Sequence, residues 1–201
     1  LMAVSETIVR EFFELHGFFV RQNRKHIAPK REDDEIDFYV HNPNGPAEGQ
    51  TVPFVLEAAE NLAHLTRAVV VVKAWHTEVF TQAVLAHAPE MFRFAGPETF
   101  ARATEAFGGP GPLTKILVIP ALPVSGEARQ QSIDLLHSKG IDAVIPFRTM
   151  LSDLIEHIEV NRNYQKSDLL QVIRILKNYD LFAPPQLELF DRPKPKRKPK
   201  G

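Results

Sequence analysis

Ala68-Val69-Val70-Val71-Val72, followed at once by Lys73, is the stretch that decides the fold. An unbroken apolar, β-branched run has no polar face to offer water, so it predicts a strand covered on both sides, in the interior of a sheet with helices above and below. Towards the N-terminus, residues 57–65 read as short and helical, and residues 41–52 as an exposed loop carrying Asn42-Pro43-Asn44-Gly45-Pro46 and Gly49. Residues 36–40 predict a second strand, after the acidic run Glu32-Asp33-Asp34-Glu35. Before that lie a basic stretch with Pro29 inside it and a short strand at residues 18–22. The chain opens with a helix over residues 5–15, in which Ile8, Val9, Phe12, Phe13 and Leu15 recur at helical spacing, Ser5 is the expected N-cap and Gly17 the stop. Towards the C-terminus, helical patterns run to Phe107 and are closed by Gly108-Gly109-Pro110-Gly111-Pro112. A strand at 116–119, a helix at 127–136, a strand at 143–146 and a helix at 150–158 follow. Alternation of this kind predicts an α/β fold, a mixed or parallel sheet flanked by helices. A last helix at 169–179 presents Leu170, Ile173, Ile175 and Leu176 as its apolar face.

The 201 residues, 44% of them hydrophobic, suffice for one substantial core. The expected division is a core domain over 1–160, a helical extension over 161–183 and a tail over 184–201. Beyond Phe190 the tail alternates Arg192, Lys194, Lys196, Arg197, Lys198 and Lys200 with Pro193, Pro195 and Pro199, which cannot build a core, and it is expected to be disordered when alone. A cysteine count of zero removes disulfides, thiolate zinc sites and thiol nucleophiles together, so any metal must use carboxylate or imidazole ligands. No apolar run approaches the roughly 20 residues that span a bilayer, and the first residues lack a basic segment followed by an apolar one. A cytoplasmic location without membrane contact is the expectation. The net charge of −1 is unevenly spread, with basic residues gathered at 21–31 and in the last ten positions.

Glu6-Thr7-Ile8-Val9-Arg10-Glu11-Phe12-Phe13-Glu14-Leu15-His16-Gly17-Phe18-Phe19-Val20-Arg21 resembles the opening of the PD-(D/E)XK nucleases, especially the archaeal Holliday-junction resolvases, where a helix with an early glutamate runs into a strand led by Gly-Phe. The resemblance covers roughly residues 5–80 and its motifs are short. It implies a restriction-endonuclease-like fold, with Asp37 as the motif aspartate and principal metal ligand, Glu6 as the helical acid and Lys73 as the motif lysine. The implied activity is a metal-dependent endodeoxyribonuclease of replication or repair. Phosphodiester hydrolysis calls for Mg²⁺ or Mn²⁺ to neutralise phosphate and acidify the attacking water, and for a lysine to orient that water and stabilise developing charge. One departure matters: the acid that the family usually has two residues before the lysine is here Val71. Glu78, or else Glu57 or Glu60, would have to replace it, with His76 as a further ligand. If none does, the chain is a non-cleaving DNA-binding relative.

Each residue also has a plainer reading. Glu6 suits the first turn of any helix, Asp37 extends an acidic loop, and Lys73 caps the exposed end of a buried strand. The segment containing Arg21, Arg24, Lys25, Lys30 and Arg31 reads either as a phosphate grip or as a solubilising loop. No Gly-rich phosphate loop is present, which argues against a nucleotide-hydrolysing engine.

Gln186-Leu187-Glu188-Leu189-Phe190, after Pro184-Pro185, resembles the peptide by which bacterial replication and repair proteins engage the β sliding clamp. Gln186 would hydrogen-bond in a polar notch while Leu187, Leu189 and Phe190 anchor in an apolar cleft. The same apolar residues also suit a last strand folded back on the domain. The expected partners are therefore DNA and a sliding clamp, with a homodimer in view because related nucleases that cut two strands are often dimeric. The rivals are a catalytically inactive DNA-binding or clamp-associated adaptor and a protein-interaction module that uses the helices at 150–158 and 169–179.

Overall fold

The computed structural model describes residues 4–23, 36–48 and 50–182. They fall into two units, Leu1–His157 and Ile158–Gly201.

The first unit begins with helix α1, Val4–Leu15, whose Ile8, Val9, Phe12 and Phe13 are buried. Gly17 ends it: at φ +79 it adopts the left-handed conformation open to glycine. Its N–H reaches the Glu14 carbonyl and that of Phe18 the Phe13 carbonyl, both at 3.0 Å, and the Phe13 and Phe18 rings meet edge-on at 5.3 Å. This is a Schellman closure with its apolar contact. Ser5 does not cap α1 as expected. It lies inside the helix, buried, and its Oγ is 2.9 Å from His76 Nε2, a tertiary partner that no local signal reveals.

Strand β1, Phe19–Gln22, pairs antiparallel with β2, Phe38–His41, and β2 antiparallel with β3, Arg67–Val72. β3 then pairs in parallel with β4, Thr114–Ile119, and β4 with β5, Ala143–Pro146, giving a five-stranded mixed sheet in the order β1-β2-β3-β4-β5. Between β2 and β3, backbone at 54–56 hydrogen-bonds to Val144 of β5, and the expected helix at 57–65 is a 3-10 helix, Ala59–His64. After β3 come α2, Gln82–Ala86, a 3-10 turn, and α3, Pro97–Ala106; α4, Gly126–Ser138, links β4 to β5, and α5, Phe147–His157, follows β5.

The sheet has apolar packing on both faces, as the run at 68–72 requires. Val69, Val71, Leu117, Ile119 and Val144 join Phe80, Leu85, Met91, Phe94 and Leu136 in one cluster. Side-chain alternation sends Ala68, Val70, Ile116, Val118, Ala143 and Ile145 to the other face, and all are fully buried. Helices α1 and α5 pack together, joined also by His16 Nε2 at 2.8 Å from Asp153 Oδ2. Asp153 in turn lies 3.3 Å from His157 Nδ1.

In the second unit, α6, Asp168–Asn178, is capped by Ser167, whose Oγ accepts from the Leu170 N–H at 3.3 Å. Arg174 and Lys177 donate back to the carbonyls of Val160 and Ile158. The expected apolar face holds at Ile173, which is buried, and fails at Ile175, which is 45% exposed. Among the described residues no helix is long and apolar enough to cross a membrane.

Candidate functional site

Antiparallel pairing of the first three strands sets the end of β1, the start of β2 and the end of β3 side by side. The register Gln22↔Phe38 and Phe38↔Val70 fixes that edge. Just beyond it, Asn23 N–H donates to the Asp37 carbonyl at 2.8 Å and Asp37 N–H to the Val70 carbonyl at 3.0 Å. The Asp37 side chain, buried, accepts the Val72 N–H at Oδ2 at 2.7 Å. Because α1 precedes β1 through a tight turn, the first turn of α1 returns to the same edge, where Gln22 Nε2 donates to Glu6 Oε2 at 2.7 Å. Lys73, the residue after β3, is held by its own N–H on the Val118 carbonyl at 2.9 Å. His76 is tied to α1 through Ser5 and packs edge-on against Phe147, ring centroids 4.6 Å apart.

Glu6, Asp37, Lys73 and His76 thus come from α1, the β2 entry and the segment after β3 to one end of the sheet. Glu78 does not share this arrangement: it is exposed and lines a neighbouring open groove of about 690 Å³ with Trp75, Thr77, Val84, His87 and Glu90. Glu57 is ion-paired with Arg129 of α4, and Glu60 lines two other clefts. Val71, where the resemblance led one to expect an acid, is 1% exposed inside the apolar cluster. A carboxylate there would be stranded in hydrocarbon.

A divalent-cation centre asks for several converging oxygen donors. Among the described residues no three His, Asp or Glu side chains form a metal-holding group, and one Asp37 oxygen is already engaged by Val72. The donors described do not make up such a centre.

Of the basic residues, Arg21 is exposed on β1 with its guanidinium 5.6 Å from the Tyr39 ring centroid. Arg24, Lys25, Lys30 and Arg31 lie outside the described residues, as do Gln186, Leu187, Leu189 and Phe190. Sequence reasoning missed Gln22 as the partner of Glu6, and it missed the groove. Trp75, the only tryptophan of the chain, was the one available pointer to the groove. No protein-family model matches the sequence, and neither the curated proteins nor the solved structures give a match.

Proposed function

We propose that this chain is a DNA-acting protein on a restriction-endonuclease-like core, and that it grips DNA without cutting it. The observation that carries the DNA reading is the placement of Glu6, Asp37 and Lys73 at one end of a sheet whose first three strands are antiparallel and whose later strands run parallel. The chain order, an acidic helix, a strand, an acid at a second strand and a buried strand ending in lysine, is the one on which the resemblance to PD-(D/E)XK nucleases rests. Lys73 and Arg21 supply positive charge for phosphates, and the basic segment holding Arg24, Lys25, Lys30 and Arg31 would extend that grip. Val71 in the core and the Asp37–Val72 hydrogen bond favour binding over cleavage. The peptide from Gln186 to Phe190 would bring the domain to a sliding clamp, raising its effective concentration on duplex DNA.

A Mg²⁺- or Mn²⁺-dependent endonuclease is the second reading, favoured by the same convergence of Glu6, Asp37 and Lys73. The two separate in one assay: incubation of plasmid, branched and single-stranded DNA with either cation, comparing wild type with Asp37→Asn and Lys73→Ala. Salt-dependent binding with intact DNA is the expected result. Cutting by the wild type that both substitutions abolish, with the fold retained, would replace the binding reading with the catalytic one. A protein-interaction module draws support from α6 and its C-terminal cap, where Val172, Ile175 and Tyr179 are all exposed at helical spacing. It requires DNA binding to be absent and a protein partner to be held with little sensitivity to salt.

A further inference from the structure

The groove beside Trp75 stands next to the candidate site without belonging to it. Trp75 lies two residues beyond Lys73 and is 41% exposed. Its ring is braced from behind by Phe80, centroids 5.6 Å apart and tilted by 60°, and Phe80 is itself wholly buried, its N–H on the Ala121 carbonyl at 2.9 Å. The exposed indole is therefore a fixed surface. Val84 of α2 gives the groove an aliphatic wall, and Glu78, His87 and Glu90 add polar atoms to its lining. The Ser5–His76 bond anchors the loop carrying Trp75 to the helix that carries Glu6.

A flat, braced aromatic face with an aliphatic wall suits a planar ring. The two lining carboxylates, Glu78 and Glu90, repel phosphate but accept hydrogen bonds from exocyclic amines. Lys73, just outside, has the opposite preference. From this division we propose that the groove takes an unpaired nucleobase, one with an exocyclic amine, from a DNA strand whose backbone phosphate lies at Lys73. The inference rests on the DNA-acting reading and adds the substrate class: duplexes with an unpaired end or a displaced nucleotide, in preference to blunt duplex. Stacking a base on a protein aromatic ring is sequence-tolerant and adds affinity beyond the phosphate contacts. The amine-accepting lining adds discrimination, cytosine over thymine among pyrimidines.

Because Trp75 is the sole tryptophan, its emission reports on the groove directly. The full chain is titrated with three duplexes that differ only in the end, either blunt or carrying unpaired dC or unpaired dT nucleotides. Binding is followed by anisotropy of a label at the far end and occupancy of the groove by Trp75 fluorescence. The unpaired dC end is expected to bind about tenfold more tightly than the blunt end, the scale of one base–aromatic stack, and to quench Trp75, with dT weaker and the blunt end without quenching. Ala83→Gln, which puts a longer side chain at an exposed lining position of α2 and leaves Trp75 itself unchanged, is expected to remove the difference between the ends. Equal binding of all three duplexes with Trp75 emission unchanged overturns the groove assignment and leaves the DNA reading standing. No binding of any duplex at low salt overturns both.

Discussion

Asp37 has a structural task that is visible before any chemistry is assigned to it. Its buried carboxylate accepts the Val72 N–H at 2.7 Å just past the last paired residues of β2 and β3. Removing the acceptor leaves a backbone donor without its partner, so Asp37→Ala is expected to lower stability by about 1–3 kcal/mol in urea unfolding. Asp37→Asn keeps a carbonyl oxygen for the same N–H and is expected to cost well under half of that. Equal losses in the two variants would show that the negative charge, not the hydrogen bond, holds Asp37 in place. For the same reason Asp37→Asn is the informative substitution in a DNA assay. Asp37 was singled out in the sequence by the resemblance alone, since the acidic run beside it reads equally well as a solvated loop. Its partner could not be, since Val72 offers only a backbone N–H, 35 positions away, and backbone donors leave no trace in side-chain pattern.

Among the elements, β3 ties fold and site together most closely. Its residues Val69 and Val71 belong to the apolar cluster on one face, while Lys73 follows at the open end. The substitution that would restore the expected motif acid, Val71→Glu, puts a carboxylate among Leu117, Ile119 and Phe80. It is expected to cost about 3 kcal/mol or more, or to prevent folding, and to confer no cleavage. A well-folded Val71→Glu with thermal stability near that of the wild type would mean that the position faces a polar site after all. The strands and the longer helices were legible because each carries a strong period or an unbroken apolar run. The starts of elements were less so. α1 begins at Val4 with Ser5 turned to His76, and α5 begins at Phe147, directly after β5. Ile175 was misread for a related reason: apolar residues on α6 outnumber those it buries, and a helical pattern alone does not say which of them lose contact with water.

For the whole molecule, alternating strands and helices in the sequence limited the sheet to mixed or parallel, and it is mixed. Strand order and register were not legible. They depend on which strands lie side by side, and the backbone at 54–56 that hydrogen-bonds to Val144 of β5 is an example of a contact that spacing cannot foretell. Because β1, β2 and β3 pair antiparallel, Glu6, Asp37 and Lys73 reach one end from three separate parts of the chain, and their chain order alone would not have brought them there. If that end grips phosphates, binding must carry the signature of counterion release. The most direct measurement is the affinity of the full chain for a labelled duplex between about 50 and 200 mM salt, for wild type and Lys73→Ala. Log K is expected to fall linearly with log salt concentration, and Lys73→Ala to weaken binding and make the slope shallower by about one. No measurable binding at the lowest salt, or an affinity that does not respond to salt, would mean that this protein does not act on DNA through that end of the sheet.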